Sequence, residues 1–275
     1  MRLSSYERNV QRELEKWQQD DASFLMQAMN WAMSPVDWAV RQVAPVELLD
    51  QADDAIEQFL GFLSNASEWT YDANDILEAG KRRGMQVEAI EDFRDEDLAE
   101  IDKLARGLFT ENALLAAIEG GGMGAGGAIL IAADIPLLFT INFRLIQQIG
   151  ACYGFGLRGP EYEPLVVSIF NVAASGGREA KNLALREITV AAAAFANNLA
   201  YKGRVSGTFK EQNRHVPREV IKSLTKNLVG KKILQSVPLA GAVVGAGINY
   251  WFTTETAETA YMLFRALYLE RKERL

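Results

Sequence analysis

The chain has 275 residues, 49% of them apolar and 24% charged, with a formal net charge of −7. This composition excludes a disordered or fibrous chain and is long enough to bury a sizeable core. One cysteine, Cys152, excludes an internal disulfide framework, and one histidine, His215, excludes multi-histidine metal sites and the two-histidine metallopeptidase motif.

Charge is unevenly distributed. Residues 1–112 carry 24 acidic and 11 basic side chains, and residues 113–275 carry 12 acidic and 18 basic. The N-terminus is dense in charge between Arg2 and Asp21 and has no apolar run, so it does not read as a secretory signal, and cytoplasmic residence is expected.

Apolar residues recur at helical spacing and almost nowhere alternate as strands do, which predicts an all-α fold. Tyr6, Val10, Leu14 and Trp17 form a first stripe, continued by Phe24, Leu25, Ala28 and Trp31 up to Ser34-Pro35. A second runs from Leu48 to Leu63 after Pro45. The third, Leu98, Ile101, Leu104, Ala105 and Leu108, is opened by Asp95-Glu96-Asp97, charges that suit a helix N-terminus. The acidic cluster Asp92, Asp95, Glu96, Asp97, Glu100 and Asp102 lacks the ligand spacing of a calcium loop and reads as a solvated helix cap.

After Thr110 the character changes. Gly120-Gly121-Gly122-Met123-Gly124-Ala125-Gly126-Gly127 leads into an alanine-rich run, and Pro238 to Gly247 forms a second glycine-rich segment. The pairs Gly120 and Gly124, Gly122 and Gly126, and Gly241 and Gly245 are four apart, which on a helix clears one face for a close neighbour. Each such glycine costs about 1 kcal/mol relative to alanine in a helix, so its repetition implies a gain in packing. The expected architecture is a multi-helix bundle around Gly-rich apolar hairpins, with N-terminal amphipathic helices over 1–95 and a helical core over 96–275. Between the two segments, 164–174 and 178–201 read as helices split by Ser175-Gly176-Gly177.

Gly122 to Gly127 formally matches a dinucleotide-binding spacing, but Asn112 to Glu119 reads as helix where a strand is needed, and no Lys-Ser or Lys-Thr follows. No cofactor and no metal are expected. Asp134 is the one charge between Gly120 and Asn142, and such a carboxylate must pair, take up a proton or face water. Asn142 and Arg144 are candidate partners if Pro136 folds the helix back, and an N-cap role for Asp134 accounts for the same residues.

Nine basic residues lie between Lys202 and Lys232, against Glu211 and Glu219 alone. A polybasic run beside an apolar segment gains about 1 kcal/mol per residue near anionic lipid. Lys222, Lys226, Lys231 and Lys232, with Trp251 and Phe252 beyond the glycines, are therefore the expected membrane-binding residues. Nucleic acid is not an expected partner, since the chain is acidic and the patch has little aromatic content beyond Phe209.

The Gly-rich segment, Ala132-Ala133-Asp134-Ile135-Pro136, Phe143-Arg144 and Gln148-Ile149, then Lys231 to Pro238, Asn249-Tyr250-Trp251-Phe252 and Phe264-Arg265-Ala266, together resemble the EcsC protein family over about Leu98 to Glu270. The resemblance implies a bacterial cytoplasmic protein whose founding relative is encoded beside an ABC transporter, and it carries no reaction or catalytic residue across. The expected function is non-enzymatic docking on the inner face of the cytoplasmic membrane, with anionic lipid or a membrane protein such as an ABC transporter as partner. The alternative is a peptide or lipid hydrolase using Asp134 with a nearby Ser, Lys or Arg in an apolar cleft.

Overall fold

The computed structural model of the chain describes residues 3–20, 23, 26–27, 54, 71–109, 128–157, 162–196 and 241–274. Among these residues every regular element is helical, and the fold is all-α. In chain order they are α1 (Ser5–Gln19), α2 (Ala73–Arg82), a 3-10 turn (Ile90–Asp95), α3 (98–109), α4 (Ala128–Cys152), α5 (Glu163–Ser175), α6 (Arg178–Ala196) and α7 (Gly241–Arg274).

Local chemistry accounts for the ends of these helices. At α1, the Ser4 hydroxyl accepts the Glu7 N–H at 3.1 Å while the Ser4 N–H donates to the Glu7 carboxylate at 2.7 Å, a capping box. Extended backbone at Asp20 then stops the helix, so the first stripe does not run on unbroken towards Ser34-Pro35. Asp97 caps α3 by accepting the Ala99 N–H at 2.8 Å, and Leu98, Ile101, Leu104 and Ala105 are buried as their spacing requires. The break between α5 and α6 falls at Gly176, whose positive φ of 62° ends α5 in the left-handed conformation that glycine adopts without strain.

The core is organised around α7, which packs against α4, α5, α6 and α1. Ile248, Trp251, Phe252, Ala257, Tyr261, Leu263, Phe264 and Leu267 are all buried along it. A helix enclosed on nearly every side needs no polar face, which explains why α7 shows little amphipathic periodicity. Phe139 of α4 meets Phe170 of α5 with ring centroids 4.8 Å apart, and Phe170 stacks on Phe252 of α7 at 6.0 Å. Asn142 facing Thr253, and Gly150 facing Phe264, show that α4 and α7 run in the same direction.

Several expectations need correction. Trp251 and Phe252 are both fully buried, Phe252 in this α4–α5–α7 seam, and they are not a lipid-facing pair. Residues 128–152 and 241–274 are each one continuous helix, with Pro136 inside α4, so neither range contains a hairpin turn. Asp134 therefore lies within α4 and is no N-cap. The ten-residue separation from Arg144 corresponds to about 15 Å of helix rise. Arg144 is exposed, whereas Asn142 is buried and donates to Leu138 O at 2.8 Å and to Thr253 Oγ1 at 3.1 Å. The expected fold-back of Arg144 onto Asp134 does not occur, because one continuous helix carries both and Arg144 is exposed.

Gly241 and Gly245 lie in the first turns of α7. At Gly247 an added Cβ would meet nothing within 4 Å, so that glycine marks no close helix approach. Gly120, Gly122, Gly124 and Gly126 lie outside the described residues, as do Lys222, Lys226, Lys231, Lys232 and His215. No helix among the described residues is long and apolar enough to cross a membrane.

Candidate functional site

The most polar buried region lies where α1, α3, the end of α4 and the second half of α7 meet. Asp102 sits one turn into α3 on the same face as Leu98 and Ala105, so helix periodicity turns its carboxylate inward. Tyr6 of α1 donates to Asp102 Oδ2 at 2.6 Å, and Tyr153 donates to Oδ1 at 2.6 Å. Tyr153 is delivered by the end of α4, where the Phe155 N–H bonds Gly150 O and the Gly154 N–H bonds Ala151 O, both at 2.9 Å, a Schellman cap with Gly154 at φ 82°.

Arg265 of α7 completes the centre. Its Nε lies 3.1 Å from Asp102 Oδ2, close enough for an ion pair although the N–H does not point along a hydrogen bond. Its Nη2 donates to Glu13 of α1 at 2.8 Å, and its guanidinium lies over the Tyr261 ring at 4.6 Å. Arg106 of α3 donates to the Tyr261 hydroxyl at 3.0 Å and covers the same ring at 4.4 Å. Asp102 and Arg265 are both almost inaccessible, at 2% exposure each. Removing either partner would leave a buried charge uncompensated.

α1 lies antiparallel to α7 along this stripe. Glu7 pairs with Lys272 at 2.6 Å, Glu13 with Arg265, and beyond the helix the Ser23 hydroxyl donates to Glu255. At the other end of α1, the Lys181 ammonium donates to Trp17 O at 2.9 Å and Asp20 O at 2.8 Å and lies over the Trp17 ring. A cation at the last carbonyls of a helix is favoured by the helix dipole. Gln18 adds a hydrogen bond to Asn182 at 2.8 Å. The N-terminal elements thus pack directly on residues beyond 95.

Burial sets the protonation behaviour. It drives the Tyr153 hydroxyl well above its ordinary value, assisted by the negative Asp102, and pushes Tyr261 up to about 12. Tyr6 is raised by burial and by its bond to Asp102. Burial also raises the Glu258 carboxyl, outweighing Arg106 and Arg265 nearby, and it raises Glu255 in spite of the Ser23 hydrogen bond. At Glu7 burial acts upward too, but Lys272 and Ser4 outweigh it and hold the carboxyl below 4.5. The Cys152 thiol, fully buried, is pushed up to about 12 and is inert as a nucleophile at neutral pH.

Guanidinium groups and phenolic donors of this kind suit recognition of an anion and offer no lowered-pKa nucleophile. Among the described residues no group of three or more His, Cys, Asp or Glu is placed to hold a metal ion. The sequence places Asp102 in a solvated cap and gives Arg265 no role beyond the Phe264-Arg265-Ala266 segment of the family resemblance. The signal that identifies Asp102 is its position on the apolar face of α3, between Leu98 and Ala105.

Comparison with known proteins covers nearly the whole chain. The chain is 24% identical over 268 residues to the uncharacterized protein YdbA of Bacillus subtilis (strain 168), an alignment spanning 92% of this chain and 89% of the relative. It is 26% identical over 168 residues to Protein EcsC of the same organism, spanning 61% of this chain and 63% of the relative. No solved structure matches. The model of the EcsC protein family matches residues 8–269, taking in α1 as well as the segments that carried the resemblance in the sequence, and the chain belongs to that family.

Proposed function

We propose that the protein docks peripherally on the inner face of the cytoplasmic membrane, with no reaction of its own, by presenting its 202–232 basic segment to anionic headgroups. A membrane protein such as an ABC transporter is its partner at that surface. The observation that carries this reading is nine basic residues against two acidic ones in that segment, immediately before a stretch without charge from Ile233 to Thr254. Several cations near one surface sum to a binding energy of several kcal/mol at about 1 kcal/mol each. Since Trp251 and Phe252 belong to the core, the reading rests on charge and on the glycine segments rather than on an aromatic anchor. The hydrolase alternative, Asp134 with a nearby Ser, Lys or Arg, does not have Arg144 as its cation, because the two are ten residues apart on one continuous helix and Arg144 is exposed.

The test is flotation with phosphatidylglycerol vesicles and with neutral phosphatidylcholine vesicles, at low and high salt. Wild type is expected to float with the anionic vesicles at low salt only. Changing Lys222, Lys226, Lys231 and Lys232 together to Gln is expected to release it. Protein that stays in solution with every vesicle would overturn the reading.

A further inference from the structure

α1 is held to the core chiefly by polar contacts. Val10 is its one fully enclosed apolar side chain, while Leu14 and Trp17 are only partly covered. Against this modest apolar contact stand Tyr6 on Asp102, Glu7 on Lys272, Glu13 on Arg265, Gln18 on Asn182 and the Lys181 cap. Such a helix exchanges its partners for water at lower cost than one seated on a continuous apolar stripe, and low-stability elements of this kind are the ones that open locally.

What α1 covers has a definite chemistry. Lys272, Arg265 and Tyr261 lie along one face of α7, at spacings of seven and four residues, and Arg106, itself exposed, reaches Tyr261 from α3. With α1 in place, Glu7 and Glu13 supply carboxylates to Lys272 and Arg265. With α1 lifted, those two cations lose their α1 carboxylates, and Asp102 loses the Tyr6 hydroxyl while keeping Tyr153 and Arg265. Asp102 and Glu258 are the acidic groups left near Arg265 and Arg106, against three cations and two phenolic hydroxyls. A guanidinium and an ammonium freed in this way along one helix face match the oxygens of phosphate groups.

We propose that α1 is a releasable strap whose Glu7 and Glu13 occupy anion positions on Lys272 and Arg265, and that phosphates of anionic headgroups take their place. This deepens the docking reading and rests on it for the lipid source, because a strap displaced by headgroups would engage the protein only where such headgroups are concentrated. The 202–232 segment brings the protein to the surface, and the α7 stripe responds to it.

The experiment follows amide hydrogen exchange of residues 5–19 in the full-length protein. It compares soluble dihexanoyl phosphatidylglycerol, inorganic phosphate, and sodium chloride at matched ionic strength. Faster exchange of α1 with the short-chain lipid alone is the expected result. Faster exchange with inorganic phosphate as well supports the same site with a free phosphate source, and unchanged exchange with both overturns the strap. Two variants guard against a purely structural effect. Glu7→Gln with Glu13→Gln is expected to raise exchange of α1 and the apparent affinity for the lipid by roughly tenfold, as weakening the closed state enlarges the open fraction. Gln18→Cys with Asn182→Cys, joined by a short bis-maleimide while Cys152 stays buried, is expected to abolish the response and overturns the proposal if it does not. The short-chain lipid is soluble, so this result stands apart from vesicle flotation: failure to float with an intact α1 response removes the basic-segment docking and leaves the strap.

Discussion

At the scale of single residues, the Asp102 and Arg265 pair is where charge and burial conflict most sharply. Replacing Arg265 with Ala leaves Asp102 inside the protein with two tyrosine hydroxyls but no cation at contact distance, and the expected cost is about 3 to 5 kcal/mol. Asp102→Leu, which leaves Arg265 with Glu13 as its one carboxylate at salt-bridge distance, is expected to cost a similar amount. The double change Asp102→Leu with Arg265→Met removes both charges and retains volume, so it should cost less than the sum, with a coupling of about 1 to 3 kcal/mol. Urea unfolding of the four proteins measures this directly, and simple additivity would show that the pair contributes no specific interaction. Asp102 carried a signal in its place on the apolar face of α3, but its partner lies 163 positions away, so the pair was not legible in the sequence. Trp251 and Phe252 failed in the opposite sense: aromatic residues beside an uncharged segment suit a membrane interface and a protein core equally well, and burial decides between them, with Phe139 and Phe170 enclosing Phe252.

At the scale of elements, the helices that were legible are those with one wet face or a clear terminal signal. α3 was readable from its stripe and its acidic opening, and the division between α5 and α6 from Ser175-Gly176-Gly177. α7 was not readable as one unit, because it is uncharged up to Thr254 while the remainder buries Glu255 against Ser23 and Arg265 against Asp102, so pattern reading separates what the backbone joins. Helix termini also set tolerance to change. Gly154 and Gly84 both adopt positive φ, at 82° and 85°. An added Cβ at Gly84 meets nothing within 4 Å, whereas at Gly154 it would collide with the Arg94 side chain and lie 2.8 Å from the Arg94 N. Arg94 is itself fixed there, donating to Gly154 O at 2.6 Å and lying over the Phe155 ring at 5.3 Å. Gly84→Ala is therefore expected to cost about 1 to 2 kcal/mol, the left-handed backbone term alone. Gly154→Ala adds overpacking and should cost about 2 to 5 kcal/mol. Thermal unfolding of the two variants in parallel checks the difference, and equal losses would show that the α4 terminus can move away from Arg94.

At the scale of the whole molecule, the carboxyls pull stability in opposite directions as pH changes. Glu255, Glu258 and Glu270 are raised, in each case chiefly by burial. What they contribute is fully present below their unfolded value of 4.5 and is lost as pH rises through their folded values. Glu7 and Asp92 are lowered. At Glu7, Lys272 and Ser4 overcome burial, and at Asp92 the backbone N–H groups of Ala89 and Glu88 hold the charged form. Their contribution is present above the unfolded values of 4.5 and 3.8 and is lost as pH falls through the folded ones. The stability maximum should therefore lie on the acid side of neutral, just above pH 4.5, with Tm rising as pH is lowered towards it and falling beyond it. Glu258→Gln should flatten the rise, since the amide pays no penalty for ionising in the core. Glu7→Gln should flatten the acid fall and, by weakening the Lys272 contact, leave α1 less protected throughout. A Tm that falls steadily from neutral pH downward in wild type would mean that Glu255 and Glu258 are solvated in the folded protein, and that the seam between α1 and α7 is open rather than closed.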